Sequence, residues 1–433
     1  MVHSYALFGR YIAIDVHSGA VHELDRAAFD VLQKGLLFEP LNLTPEQAEA
    51  REELLALKED GLLFTEPEAV TVNYADLPLK ALCLHVSHDC NLRCAYCFAK
   101  TGDFGTGRRL TMPPEVAERA IDYLLARCGG RRNLEIDFFG GEPLMALDTV
   151  KHTVTYARRA APDKNFRFTL TTNGVLLDDG VTEYLNREMS NVVLSLDGRR
   201  QVNDAARRLV PDGGSYDEIL PKYRHVIATR TGDYYVRGTY TKRNTDFAED
   251  IAHLASLGFR NISLEPAVLP PGHPLALTEE DVPALCRQYE LLCERMAEDG
   301  SFAFFHFNVD LAQGPCVYKR LRGCGAGVEY AAVTPEGDVY PCHQFVGREE
   351  YRMGSVLDGS FDKDISSWFS DIGAEGREDC RTCWARFYCG GGCAASNLTV
   401  NGDIALCDRL GCALEKKRLE CAIYLKTLKS GIY

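Results

Sequence analysis

Three thiols stand within one short stretch, HVSHDCNLRCAYCFAK (His85 to Lys100), at Cys90, Cys94 and Cys97. Thiolates suit soft metals, so the candidates are zinc and an iron–sulfur cluster. A structural zinc site needs four closed ligands and usually opens on a Cys-x2-Cys pair. This loop reads Cys-x3-Cys-x2-Cys, with no fourth Cys near it. Three thiolates on a 4Fe-4S cluster leave one iron open to a further ligand. The structural alternative is three packed thiols, yet free cysteines acting as small hydrophobes seldom crowd one loop.

The other end of the chain carries more sulfur. Ten of the 17 cysteines fall between Cys316 and Cys421. Cys324 is followed by EGDVYPC, which ends at Cys342, and CRTCWARFYCGGGC then sets cysteines at 380, 383, 389 and 393 before Cys407 and Cys412. A chain of 433 residues has ample core and needs no disulfide framework, which leaves metal or cluster ligation. Cys83, Cys128, Cys286, Cys293 and Cys421 read as packing residues; 286 and 293 lie seven apart on one helix face.

Elements must position these groups. From Leu82 to Leu264, strand-like runs (82–87, 134–139, 166–171, 191–196, 234–240 and 261–264) alternate with helical stretches such as PPEVAERAIDYLLAR and FAEDIAHLASLG. Six βα units in succession predict an α/β fold with a parallel sheet curled into a partial (β/α)6, TIM-like barrel, and site groups at the C-terminal ends of its strands. The three-cysteine loop follows the first strand. Before the barrel, residues 1–75 form a small α+β module: two short strands in YIAIDVHSGAVHELD with a turn at Ser18-Gly19, a helix capped by Asp25, and a helix from TPEQAEAREELLALKEDG. It is either a structural extension or a dock for a peptide strand. The barrel is expected to occupy 76–305 and the cysteine-rich region 306–433, with a boundary near Gly300 to Gly314.

A formal charge of −14 disfavours nucleic acid and anionic lipid as partners. No run is long and apolar enough to span a bilayer, and the N-terminus lacks a secretory pattern. The expectation is a cytoplasmic protein with a peptide or small-molecule substrate, and neither nucleic acid nor membrane as partner.

The loop spacing, with the aromatic Tyr96 before the last Cys, resembles the signature of the radical S-adenosylmethionine (SAM) superfamily. That resemblance implies that Cys90, Cys94 and Cys97 hold the catalytic cluster. The amino and carboxylate groups of SAM then chelate its open iron, and an electron splits the sulfonium to give a 5′-deoxyadenosyl radical. It implies a methionine-binding role for Gly140, Gly141 and Glu142 in FFGGEP, with Glu142 offering charge to the ammonium. TTNG (Thr172, Asn173) and SLDG (Ser195, Asp197) end the third and fourth strands, where they either meet the ribose or methionine carboxylate or form ordinary turns. Arg207 is a further candidate for a carboxylate contact.

The order of the tail cysteines resembles the SPASM extension of such enzymes. One auxiliary 4Fe-4S cluster is then implied on Cys380, Cys383, Cys389 and Cys412, and another on Cys324, Cys342 and Cys393, for three clusters in all. Cys407 competes with Cys412, and Cys316 is a possible fourth ligand of the second auxiliary cluster. The whole chain, through YIAIDVHSGAVHELD, CGAGVEYAAVTPEGDVYPCHQFVG and GCALEKKRLECAI, resembles the SCIFF maturases, which install thioether crosslinks in six-cysteine ribosomal peptides. The implied N-terminal module is a winged-helix-like, peptide-recognition (RRE-like) element. The implied partners are a Cys-rich precursor peptide and a low-potential electron donor such as flavodoxin or ferredoxin. Another SPASM enzyme, an anaerobic sulfatase maturase or a carbon–carbon crosslinker, is the competing reading.

Overall fold

The computed structural model describes residues 1–67, 77–311 and 321–430. At the N-terminus, β1 (Val2–Leu7), β2 (Arg10–Asp15) and β3 (Val21–Leu24) form an antiparallel sheet in that order. Helix α1 (Arg26–Gln33) begins where the Asp25 carboxylate accepts the Ala28 N–H at 2.7 Å. Helix α2 (Pro45–Glu59) opens on a capping box between Thr44 and Gln47 with Pro45 in its first turn. Strand β1 was not expected: six residues at a chain end carry too little pattern to separate a strand from coil, and what orders it is packing of its Tyr5 and Leu7 into the main core.

The central region runs β4 (Ala81–Ser87), β5 (Leu92–Cys94), α3 (Pro114–Arg127), β6 (Asn133–Gly140), α4 (Leu147–Ala160), β7 (Asn165–Thr172) and α5 (Asp179–Glu188). It continues through β8 (Asn191–Ser195), α6 (Arg200–Ala206), β9 (Arg207–Leu209), α7 (Tyr216–Thr229), β10 (Asp233–Tyr240), α8 (Phe247–Ser256) and β11 (Asn261–Pro266). Strands β4, β6, β7, β8, β10 and β11 are neighbours in chain order and all parallel, the partial barrel expected from the alternating pattern. Period-two alternation sorts their side chains. Along β10, Val236 and Tyr240 are buried, with Tyr240 stacked on Phe247 of α8, while Tyr235, Arg237 and Thr239 alternate onto the opposite, inner face.

Beyond the barrel come α9 (Val282–Glu298), β12 (Ala303–Phe304), β13 (Tyr330–Val333), β14 (Asp338–Tyr340) and β15 (Gly354–Ser355). The helices α10 (Lys363–Asp371), α11 (Glu378–Arg381), α12 (Arg386–Cys389), α13 (Ala394–Asn401) and α14 (Arg409–Ser430) follow. The sheet continues through the cysteine-rich region: β13 pairs in parallel with β4, and β14 and β15 extend it antiparallel. Strand β4, which precedes the three-cysteine loop, and the segment carrying Cys342 are thereby fixed to one backbone ladder.

Helix α14 is the largest element that sequence reading missed. Its apolar residues do not make one stripe, because it is enclosed on more than one side. Leu414, Leu419, Cys421, Ala422 and Ile423 are buried in the main core, which also takes in α9. On the N-terminal side, Tyr5 donates its hydroxyl to the Glu420 carbonyl at 2.9 Å, and His3 reaches the Glu420 carboxylate at 3.1 Å. His3 also stacks on Trp384, with ring centroids 3.9 Å apart. The three buried aliphatics alone contribute about 1.5–3 kcal/mol each relative to exposure. Among the described residues no helix is long and apolar enough to cross a membrane.

Candidate active site

The three-cysteine loop is held on two sides. Strand β5, which contains Cys94, pairs antiparallel with β9, placing Cys94 opposite Arg207. On the other side, the Gly141 N–H donates to the Ser87 carbonyl at 2.7 Å and the Glu142 N–H to that of Asp89 at 2.8 Å. The approach is possible because residues 140 and 141 have no side chain: a Cβ would sit 2.2 Å from Ser87 O at Gly140 and 2.1 Å from Asp89 O at Gly141.

Cys90, Cys94 and Cys97 lie near enough to perturb one another electrostatically. Burial pushes the Cys90 thiol up to about 11 and that of Cys94 to about 12, so both stay protonated unless a bound cation takes the proton's place and holds them as thiolates. Cys90 sulfur faces the Leu92 N–H at 3.4 Å and the Asn173 side-chain amide at 3.7 Å. Among the described residues no three His, Cys, Asp or Glu side chains converge on a single-ion point. A cubane cluster spreads its thiolates over separate irons, a wider arrangement than a zinc tetrahedron.

Glu142 is 1% exposed and already serves the protein. Its carboxylate accepts from Thr172 Oγ1 at 2.8 Å, Asn173 N at 2.7 Å and Leu144 N at 3.0 Å. A carboxylate has about four acceptor positions, so three donors leave room for one more at most. The residue braces the β6 and β7 strand ends as much as it presents charge. Asn173 extends the brace to the loop, donating to Asn91 Oδ1 at 2.7 Å.

Burial pushes the Glu142 carboxyl up to about 7, against the lowering effect of those donors. Because the folded value lies above the ordinary 4.5, the folded chain keeps a proton that the unfolded chain loses. This group's share of stability is therefore greatest below that ordinary value and falls as pH rises towards 7, by about 3 kcal/mol. Glu142→Gln has no such proton. Denaturant titrations of the iron-free chain at about pH 5 and about pH 8 should show wild type losing that amount relative to the variant; an equal gap at both pH values would refute the buried-acid assignment.

The far side of the site is a second buried set. Tyr96 donates its hydroxyl to Asp197, at 2.9 and 2.7 Å from the two carboxylate oxygens, and Arg207 Nη1 donates to the Tyr96 oxygen at 3.0 Å. Thr239 N–H adds a bond to Asp197 Oδ1 at 3.1 Å. Burial pushes the Asp197 carboxyl up, and Arg207 opposes it. Ser195 ends β8 beside this set, its carbonyl accepting from Tyr223 at 3.1 Å. A cavity of about 140 Å³ opens here, lined by Asp197, Gln201, Val202, Thr239, Arg243 and Asn244 among others. Asn91, Tyr223 and Thr239 had no sequence signal, since their roles come from register and from distant strand ends.

The tail thiols form two groups. Cys324, Cys342 and Cys393 perturb one another electrostatically. In the other group Cys380 and Cys407 sulfurs are 3.6 Å apart, and hydrogen bonds from Cys380 and then Cys412 hold the Cys407 thiol low. Cys389 is felt by both Cys380 and Cys412, and Cys383 by Cys389. The structure thus places Cys407 together with Cys380 and Cys412. Cys316 lies outside the described residues.

Residues 84–263 match the family model of the Radical SAM superfamily, and 324–384 that of the iron-sulfur cluster-binding domain SPASM. The chain carries a radical SAM domain followed by a SPASM domain. It is 23% identical over 381 residues to the cysteine-type anaerobic sulfatase-maturating enzyme of Clostridium novyi, covering 81% of this chain and 98% of that one. It is 27% identical over 365 residues to the mycofactocin maturase MftC of Mycolicibacterium smegmatis, covering 80% and 87%. Its match to an uncharacterized Methanocaldococcus jannaschii protein spans 62% of that protein's length. The solved structure of native anSMEcpe with bound AdoMet shares the fold, with a TM-score of 0.68 at 20% identity over 82% of this chain and 100% of that one. The radical SAM and SPASM domains imply SAM and iron–sulfur clusters, and the donor set fits: grouped, half-buried thiols, a side-chain-free strap against the loop, and a cavity beside Asp197 that mixes apolar walls with Gln201 and Asn244.

Proposed function

We propose that this chain is a cytoplasmic peptide maturase that joins Cys sulfur to carbon in a ribosomally made, Cys-rich precursor peptide. The observation that carries the reading is that helix α14 bears Cys412, beside the tail thiols, and Glu420, which His3 and Tyr5 of the N-terminal sheet bond. Strand β3 lies at the edge of that sheet, away from β1, and suits addition of a peptide strand. The relatives named as maturases of sulfatase and of mycofactocin support action on a peptide or protein chain.

When bound, SAM and a cluster on Cys90, Cys94 and Cys97 supply a 5′-deoxyadenosyl radical that removes hydrogen from the substrate. Arg207, Tyr96 and Asp197, with Ser195, Thr172 and Asn173, orient the cofactor, and the Gly140–Gly141 strap admits its methionine end. Cys380, Cys383, Cys389 and Cys412 hold one auxiliary 4Fe-4S cluster and Cys324, Cys342 and Cys393 another, giving three. The balance is one substrate C–H and one S–H lost for one C–S bond formed. The hydrogen atom would leave in 5′-deoxyadenosine and the thiol proton would pass to solvent, and a cluster held by Cys324, Cys342 and Cys393 would supply the acceptor for the remaining electron. A low-potential donor such as flavodoxin or ferredoxin supplies the electron for SAM cleavage.

Mass spectrometry of a coexpressed Cys-rich precursor tests this. Each thioether should lower the mass by two units and remove one alkylatable thiol. An aldehyde product would move the assignment to sulfatase-type oxidation, and a loss of two units with all thiols intact to carbon–carbon crosslinking.

A further inference from the structure

The inner face of β10 and β11 carries a charged network that the cofactor site does not use. At its deep end Arg418 of α14 pairs with Glu415 at 2.6 Å and points Nη1 at His306 Nδ1, 3.3 Å away. A guanidinium only donates, so His306 must accept at Nδ1 and carry its single proton on Nε2. Nε2 lies 3.1 Å from Ser263 Oγ and 3.6 Å from Glu265. Burial, with Arg418 next, pushes the imidazole down to about 3, in keeping with a neutral ring. Glu265 in turn accepts from Arg237 Nη2.

The network is graded from dry to wet. The side chains of Arg418 and His306 are 13% and 11% exposed, whereas Glu265 is 37% and Arg237 54% exposed. Its exposed end is one cation and one anion, Arg237 and Glu265, side by side and open to the inner face. A guanidinium has five N–H donors, and Glu265 occupies only one edge. Arg237 lies opposite Ser195 in the sheet. Two residues further along the same strand, roughly 7 Å, the Thr239 N–H holds Asp197.

A neutral pair of opposite charges does not select a charged ligand; it matches a dipole with an acceptor beside a donor. A peptide group is such a dipole. We propose that Arg237 and Glu265 clamp one peptide unit of the substrate, Arg237 donating to its carbonyl and Glu265 accepting its N–H, so that the residue losing hydrogen lies beside the cofactor. This rests on the peptide-maturase reading above.

The test uses the full-length, cluster-loaded enzyme and a synthetic Cys-rich peptide deuterated at its carbon positions. The readouts are deuterium carried into 5′-deoxyadenosine and the number of 5′-deoxyadenosine molecules formed per modified peptide. Arg237→Gln should cut deuterium transfer per cleavage about tenfold or more, the effect of losing a charge-assisted hydrogen bond. Arg237→Lys should recover part of it, and Glu265→Gln should show an intermediate loss. Iron content per chain reports folding; if Arg237→Gln does not load iron, Arg237→Lys and Glu265→Gln carry the comparison. Transfer within about twofold of wild type in the folded variants would overturn the clamp. The identity of the wild-type product separately decides between thioether and other chemistry, because the transfer ratio is read whatever bond is formed.

Discussion

A chain in which Cys90, Cys94 and Cys97 are all alanine forms no 5′-deoxyadenosine from SAM and a strong reductant, yet keeps the iron held by its tail cysteines. Reductive cleavage requires an iron that the protein leaves open, and a loop with three thiols is the arrangement that provides one. The tail thiols sit in separate groups, Cys380 with Cys407 at 3.6 Å and Cys342 near Cys324 and Cys393. Removing the loop's sulfurs therefore leaves those groups their own ligands. On the three-cluster reading proposed above, iron per chain should fall by about one third. Cleavage persisting in the triple variant would mean that a different thiol set binds the cofactor.

The second large effect is expected from a single methyl group. Gly141→Ala puts a carbon where Asp89 O now stands, 2.1 Å from the ideal Cβ position, against backbone rather than a yielding side chain. The strap must withdraw, which breaks the bonds from Gly141 N to Ser87 O and from Glu142 N to Asp89 O. Each interior polar group left unpaired costs about 1–3 kcal/mol, and overpacking adds about as much again. A misplacement of about 1 Å at a reacting centre can cost about a hundredfold in rate. SAM cleavage should thus fall by at least that factor, with a clear loss in thermal stability. Gly130→Ala is the control, because its Cβ would meet nothing within 4 Å, and it should change stability by about 0.5 kcal/mol or less. Equal activity in the two variants would refute the role given to the strap.

Much of the barrel could be read directly: Leu82–Ser87 is buried along its whole length and writes a short, mostly apolar run, whereas Tyr234–Tyr240 shows the alternation of a strand buried on its outer face. The spacing of Cys90, Cys94 and Cys97 was plain in the sequence, since it is local, whereas the grouping of the tail thiols came from the resemblance alone, because Cys324 and Cys393 are far apart in the chain. Pairings between distant short segments were not legible. Strand β9 is three residues long and reads as coil, yet it delivers Arg207 to Cys94 and to Tyr96. Arg207, expected from the sequence to meet a cofactor or peptide carboxylate, bonds the Tyr96 phenol and lies 3.9 Å from the Asp197 carboxylate. Glu142 was legible as a charge near the site, but its bonds to Thr172, Asn173 and Leu144 depend on two strand ends meeting. Helix α14 escaped because enclosure on several sides removes the stripe that identifies an amphipathic helix.

That same helix limits how such an enzyme can change its clientele. Cys412, Arg418 and Glu420 stand on one rod, with Cys412 and Glu420 eight residues and about 12 Å apart. The first reaches the SPASM thiols, the second the inner face of the barrel, and the third the N-terminal sheet through His3 and Tyr5. Tyr5, Leu7, Ile12, Ile14 and Val21 are continuous with the barrel core. If the N-terminal module docks the peptide as proposed, it is consequently not an interchangeable adaptor that recombination could swap for another. New specificity has to arise by drift on its outer strand and helices, while the inner face of its sheet stays matched to a helix that must also keep a cysteine in register.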